Sequence, residues 1–314
     1  MRARALVVVA SVSSLFAFLS PRAAKACSIC GCDPAAGMLG LDRPSAQTLR
    51  VQVEDRYLAK ESGAGEDRES ERENRLVLRA QYAPAIPVVF QLEVPVFLWK
   101  DHLDAAGVRD DRAFGLGDVS LSARTELFRS GGMVPRHVVS LIGAVKTPTG
   151  ANAREGGHDH GSAAPVDVPI DEHLQLGTGS WDGLLTLSYA FGPQPWTLFA
   201  NATGRLNSEN SRGFRYGHAA FFTGGARRAF LDGGKLILSL EAQLRTAGKD
   251  RFGDGGFDED SGGEVLYATA SAAYALTNDL LLRGIVQVPT VTRLNGTQSE
   301  HPVGYLTLGY DFAL

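Results

Sequence analysis

Three thiols, Cys27, Cys30 and Cys32, form a C-x-x-C-x-C cluster near the start of the chain. Thiolates so close together suit a soft ion such as Cu(I) or Zn(II). The run is not C-x-x-C-H, so covalent haem attachment is not expected. A closed zinc site takes four ligands, and the cluster supplies three. In an oxidising compartment a Cys27–Cys30 disulfide competes with the metal. A second set of ligands, His158-Asp159-His160 and then Asp171-Glu172-His173, lies in the longest polar connection. Imidazole and carboxylate groups there could take zinc or copper, against the plainer reading of a solvated loop. The acidic run Asp250, Asp254, Asp258, Asp260 and Glu264 lacks the spacing of an EF-hand and reads as solvated. Apart from copper or zinc at these residues, no cofactor is expected. Catalysis has little support. No G-x-S-x-G elbow occurs, and His102, His137, His218 and His301 stand near strand ends with no serine partner in sequence.

The remaining charged side chains recur at every second position of segments that alternate with apolar residues. Leu49, Val51 and Val53 oppose Arg50, Gln52, Glu54 and Arg56, and Leu76, Leu78, Ala80 and Tyr82 oppose Arg75, Arg79 and Gln81. Phe90, Leu92, Val94, Val96 and Leu98 oppose Gln91 and Glu93 in the same way. Leu236, Leu238, Leu240, Ala242 and Leu244 oppose Lys235, Ser239, Glu241, Gln243 and Arg245. Such alternation is the signature of strands with one apolar face. Twelve segments are predicted: 48–60, 74–82, 87–99, 117–128, 137–147, 180–191, 196–207, 218–230, 235–246, 265–276, 280–291 and 302–314. The connections between them alternate long and short. A β-sandwich has no reason to sort its loops in this way, whereas an outer-membrane barrel has short periplasmic turns and long outer loops. The last segment sets Leu306, Leu308, Tyr310, Phe312 and Leu314 on one face. That pattern suits a lipid-facing final strand, with Tyr310, Phe312 and Leu314 as the signal read by the barrel-assembly machinery.

The start of the chain agrees. Arg2 and Arg4 precede an apolar run from Ala5 to Leu19, followed by Ala24-Lys25-Ala26, which predicts a secretory signal over 1–26 with cleavage before Cys27. Lys25 argues against lipidation of Cys27. No later stretch reaches the roughly 18 apolar residues of a membrane helix. Residues 27–46 would be a short Cys-containing tail, and 47–314 one all-β, closed, antiparallel barrel of about 12 strands in the bacterial outer membrane. The net charge of −4 and the three cysteines point away from nucleic acid and from a disulfide-stapled secreted fold.

Three stretches carry a resemblance. Gly115-Leu116-Gly117-Asp118, Lys146-Thr147-Pro148-Thr149-Gly150 and Leu176-Gly177-Thr178-Gly179-Ser180-Trp181-Asp182, in that order, resemble the outer-membrane "transporter" family of the phenol degradation meta-pathway type. The resemblance implies a barrel that lets small hydrophobic or aromatic compounds through.

In such a barrel Arg50, Glu54, Arg56, Arg75, Arg79, Glu93, Glu126, Glu241, Arg245 and Arg283 are expected to line the lumen, with Asp118, Arg124, Lys146, Asp182, Arg205, Arg227 and Asp311 also facing inward. Twelve strands enclose more space than the eight that side chains can fill. A wet lumen would solvate these charges, and a plugged one would have to pair them. The expected activity is passive passage of small solutes, with outer-membrane lipid and the solute itself as partners. Two alternatives stay open: a metal-handling protein using the thiols and the His-containing loop, and a plugged structural or adhesive barrel.

Overall fold

A computed structural model describes residues 44–62, 68–103, 106–107, 109–130, 135–152, 173, 175–192 and 195–314. The signal expected over 1–26, Cys27, Cys30, Cys32, His158 and His160 lie outside the described residues.

Fourteen strands form one antiparallel sheet: β1 (Thr48–Ser62), β2 (Glu69–Ala85), β3 (Val88–Leu103), β4 (Arg109–Leu116), β5 (Ser120–Ser130), β6 (His137–Lys146), β7 (Asp182–Phe191), β8 (Trp196–Asn207), β9 (Ala219–Phe230), β10 (Leu236–Ala247), β11 (Gly263–Ala275), β12 (Leu280–Leu294), β13 (Ser299–Glu300) and β14 (Val303–Ala313). Most strands pair with their neighbours in sequence, β3 with both β4 and β5 and β12 with β14, and β14 returns to β1 from Thr48↔Ala313 to Tyr57↔Gly304, which closes the sheet. β4 and β5 occupy one wall position and β13 and β14 another, so the barrel has twelve strands. Among the described residues no helix is long and apolar enough to cross a membrane. The crossing is made by strands, whose backbone groups are all satisfied only in a closed ring.

The barrel is apolar outside and polar inside. Phe90, Leu185 and Leu240 stand 51%, 57% and 70% exposed on the outer wall, whereas Glu54, Arg56 and Asp182 are almost fully buried. Lipid, rather than water, covers such an outer face. The chain is therefore an integral protein of the bacterial outer membrane.

Two expectations about boundaries need correction. The fourth segment, expected over 117–128, starts only at Ser120 as β5, and the connection expected over 100–116 carries the end of β3 and a further strand, β4, which 117–119 separate from β5. β4 continues the upper half of β3 through Val96↔Leu116 to Leu103↔Arg109, and β5 pairs the lower half through Val88↔Thr125 to Glu93↔Ser120. The connection expected over 61–73 is mostly strand, because β1 and β2 stay paired as far as Ser62↔Glu69. Polar residues on both faces of that hairpin project it past the membrane. A tilted strand crosses the bilayer in about 9–11 residues, and β1 and β2 have 15 and 17. Ion pairs such as Lys60–Glu71 at 2.6 Å and Arg68–Glu61 at 2.5 Å bridge the projecting part.

Candidate functional site

The inner wall follows from the period of two. Gln52, Glu54 and Arg56 share one face of β1, and register sets Arg79 opposite Gln52 and Glu93 opposite Arg79. The resulting network is continuous. Arg56 Nη2 lies 2.6 Å from Glu54 Oε1, Arg79 Nη1 2.9 Å from Glu54 Oε2, and Arg79 Nε 2.7 Å from Glu93 Oε2. Thr307 on β14 donates to Glu54 Oε2 at 3.1 Å, and the Arg56 guanidinium stacks over Tyr305 at 4.7 Å. With Arg56 1% exposed, this pairing is what makes its burial tolerable.

This network lines a cavity of about 250 Å³. Seven of the ten residues expected to line the lumen stand on its wall: Glu54, Arg56, Arg75, Arg79, Glu93, Arg245 and Arg283. Arg245 pairs with Glu300 and stacks over Tyr267 at 5.4 Å. Arg75 lies 3.4 Å from Glu73 and stacks over Phe97 at 5.6 Å. The other three lie elsewhere. Arg50 pairs with Asp311 at 2.5 Å, and Glu126 with Arg129 at 2.7 Å, both toward the end with the short turns. Glu241 is half-buried on β10 opposite Gly225. Arg124 donates to Ser140 at 3.0 Å. Asp118, Lys146 and Arg205, also expected to face inward, line the cavity too, whereas its apolar and aromatic residues, among them Val77, Phe97, Leu176, Tyr216, Phe221 and Tyr267, were not anticipated. The available signal was an apolar residue on the otherwise polar face, as at Val77 and Phe97.

The three glycine-containing stretches meet at the mouth around Asp118. Its Oδ1 accepts from Gly150 N–H at 2.9 Å, and its Oδ2 accepts from Thr178 N–H at 2.8 Å and Thr178 Oγ1 at 2.7 Å. Lys146 Nζ lies 3.1 Å from Asp118 and 2.6 Å from Asp182, and Arg205 Nη2 lies 2.8 Å from Asp182. The glycines allow the approach. A Cβ on Gly177 would stand 2.5 Å from Gly150 O, and one on Gly150 2.7 Å from Gly177 Cα. Leu176 is thereby pressed against Phe97 and Ala113. The end of the 147–181 connection thus forms part of the cavity wall.

A second cluster stands nearby. His173 Nε2 lies 3.4 Å from Asp250 Oδ2 and 3.6 Å from Asp258 Oδ2. The Phe214 and Tyr216 rings meet the imidazole edge-on at 5.9 and 5.5 Å. Lys100 Nζ holds the segment by donating to the carbonyls of His173 and Gln175. Burial pushes the Asp250 carboxyl above its usual range, and His173 and the Gly217 N–H only partly oppose this.

This fold and lumen define an outer-membrane channel-like barrel. Residues 77–293 match the family described as "Putative MetA-pathway of phenol degradation", and the chain belongs to that family. Among solved structures it is similar to the COG4313 outer membrane channel from Pseudomonas putida F1, with 15% identity, a TM-score of 0.66, and 86% of this chain and 97% of that one covered. A looser likeness is to the beta domain of the Bordetella autotransporter BrkA, at 13% identity and a TM-score of 0.48, over 83% of this chain and 98% of that one. A search of curated proteins finds no match to the sequence.

Proposed function

We propose that the barrel passes small, uncharged, aromatic or otherwise hydrophobic solutes across the outer membrane by passive diffusion. The observation that carries this reading is the make-up of the cavity, in which Phe97, Leu176, Tyr216, Phe221 and Tyr267 face acids and bases that are paired with one another. Selectivity for ions comes from rings of one charge sign. Charges held in pairs present no such ring, and they leave the aromatic wall as the surface a solute meets. The phenol-degradation description of the family, and the likeness to a protein described as an outer membrane channel, support the same reading. Twelve strands are far fewer than the 22 of a plugged, energised transporter, and no nucleotide-binding motif is present. Lipid surrounds the wall, and the barrel-assembly machinery is the proposed route of insertion, with Tyr310, Phe312 and Leu314 on the strand presented to it.

The test is solute-swelling of liposomes that carry the folded barrel, together with planar-bilayer recording. Entry of small phenols and uncharged aromatics, faster than sugars of equal size, supports the proposal. The continuous ion pairing and the modest cavity favour one other reading, a plugged structural barrel. Silence in both assays from correctly folded protein would establish that reading instead.

A further inference from the structure

We infer that His173, Asp250 and Asp258 form a binding site for a first-row divalent cation, zinc foremost, that pins the 147–181 connection to the 248–262 connection at the mouth of the barrel. The inference is independent of what passes through the lumen.

The three ligand atoms lie within 4.8 Å of one another. The His173–Asp250 and His173–Asp258 distances of 3.4 and 3.6 Å are long for a charge-assisted hydrogen bond, which prefers about 2.7–2.9 Å. They suit a shared ion. Two ligand atoms each about 2.1 Å from a tetrahedral zinc stand about 3.4 Å apart.

Both carboxylates are held in the manner of metal ligands. Asp250 Oδ1 accepts from Gly217 N–H at 2.6 Å, and Asp258 Oδ1 accepts from Asp260 N–H at 2.9 Å. Each therefore has one oxygen anchored to the backbone and turns the other toward the imidazole, the arrangement that outer-shell hydrogen bonds give to ligating carboxylates. The scaffold beneath is tied as well. Asp258 N–H donates to Asp250 O at 3.0 Å, and Ser261 Oγ accepts from Asp250 N–H at 2.8 Å while donating to Asp258 O at 2.7 Å. Gly217 comes so close to Gly248 that a Cβ would stand 1.9 Å from its carbonyl oxygen. Only glycine allows the approach that brings its N–H to Asp250.

Asp250 supplies the independent sign that a ligand is wanted. It is 3% exposed, and its Oδ2, aimed at the cluster, has no hydrogen-bond partner among the described residues. A buried carboxylate oxygen without a donor is costly, and a cation is what removes the cost. Nearby ammonium groups are engaged elsewhere, Lys60 with Glu71 at 2.6 Å and Lys249 with Glu259. Two carboxylates and a neutral imidazole carry a charge that a divalent ion balances. Imidazole in the set favours zinc and its first-row neighbours over calcium or magnesium. Water would complete the coordination on the open side, where Asp258 is 22% exposed.

The test uses the full chain, refolded in detergent, with Cys27, Cys30 and Cys32 changed to Ser and His158 and His160 to Ala, so that no other expected ligand competes. After chelator treatment it is titrated with Zn²⁺ by calorimetry and with Co²⁺ by visible absorption. One equivalent of Zn²⁺ and Co²⁺ ligand-field bands are expected, with affinity falling at least tenfold in His173→Ala and in Asp250→Asn. Asp258→Asn, at the most exposed of the three ligands, is the variant least able to disturb folding and should show the same loss in a barrel of unchanged heat-modifiable migration. Absence of stoichiometric binding below about 100 µM metal would overturn the inference and leave a simple imidazolium–carboxylate pair. Binding that survives all three substitutions would also overturn it.

Discussion

Glu54 is the residue on which the charge balance of the lumen turns. It takes Arg56 on its own strand, Arg79 from β2 and the Thr307 hydroxyl from β14. Replacing Glu54 with Gln keeps the shape and removes the carboxylate that Arg56 and Arg79 both contact, while Arg79 keeps Glu93. Breaking a buried pair by removing one partner costs about 3–5 kcal/mol. The adjoining cavity can admit water, so the lower end of that range is expected, read as a reduced urea midpoint of the refolded barrel. The second consequence is electrical. Loss of one negative charge leaves an excess of arginine on the lining, so Glu54→Gln should shift the reversal potential in a salt gradient toward anion selectivity, and Arg79→Glu should shift it toward cations. Equal reversal potentials for wild type and both variants would show that this network does not border the conducting path.

Among the elements, the junction between β4 and β5 does more than join two strands. The break at 117–119 frees Asp118 from regular pairing and lets it collect the backbone of 150 and 178. A Gly177→Val substitution places side-chain atoms where Gly150 O already stands. Hydrogen-exchange protection at the Gly150 and Thr178 amides should then fall at least tenfold, while the β11–β12 amides keep theirs. Loss of protection throughout would instead make this junction part of the barrel's global stability. On β10 the two faces predict opposite responses. Arg in place of Leu240, which is 70% exposed on the lipid side, should cost about 2–4 kcal/mol if it sits near mid-membrane. Arg in place of inward Gln243 should cost clearly less in the same unfolding assay.

For the whole molecule, closure rests on the β1–β14 seam. Tyr310 and Phe312 pack on the lipid side of that seam with ring centroids 4.7 Å apart and planes tilted by 60°, and Leu314 N–H donates to Gln47 O at 2.9 Å. Asp at both 312 and 314 introduces charge beside the last strand to be zipped. Loss of membrane-inserted, heat-modifiable protein is expected, and normal insertion would show that the seam forms without these residues. Orientation can be read on intact cells carrying Ser211→Cys or Asn278→Cys in the Cys-to-Ser background. Only Ser211→Cys, in a long connection, should react with a membrane-impermeant maleimide. Equal labelling would reverse or abolish the assigned sidedness.

The all-β class, the number of wall strands and the lipid-facing side were legible in the sequence. The expected 196–207 is β8 residue for residue, and 137–147 exceeds β6 by one position. Strand geometry itself explains this, because alternate side chains must point to opposite faces and lipid demands that one face be apolar. The three glycine-containing stretches were also visible as a family signature, although their convergence on Asp118 was not. Tertiary structure alone decided which acid meets which base, where the fourth wall strand breaks, and that His173 stands beside Asp250 and Asp258. Those three residues were read as parts of two separate polar loops. Contacts of this kind depend on register across neighbouring strands and on how connections fold back over the mouth. Both are set by summed pairing around a closed ring, and no local pattern of residues encodes that sum.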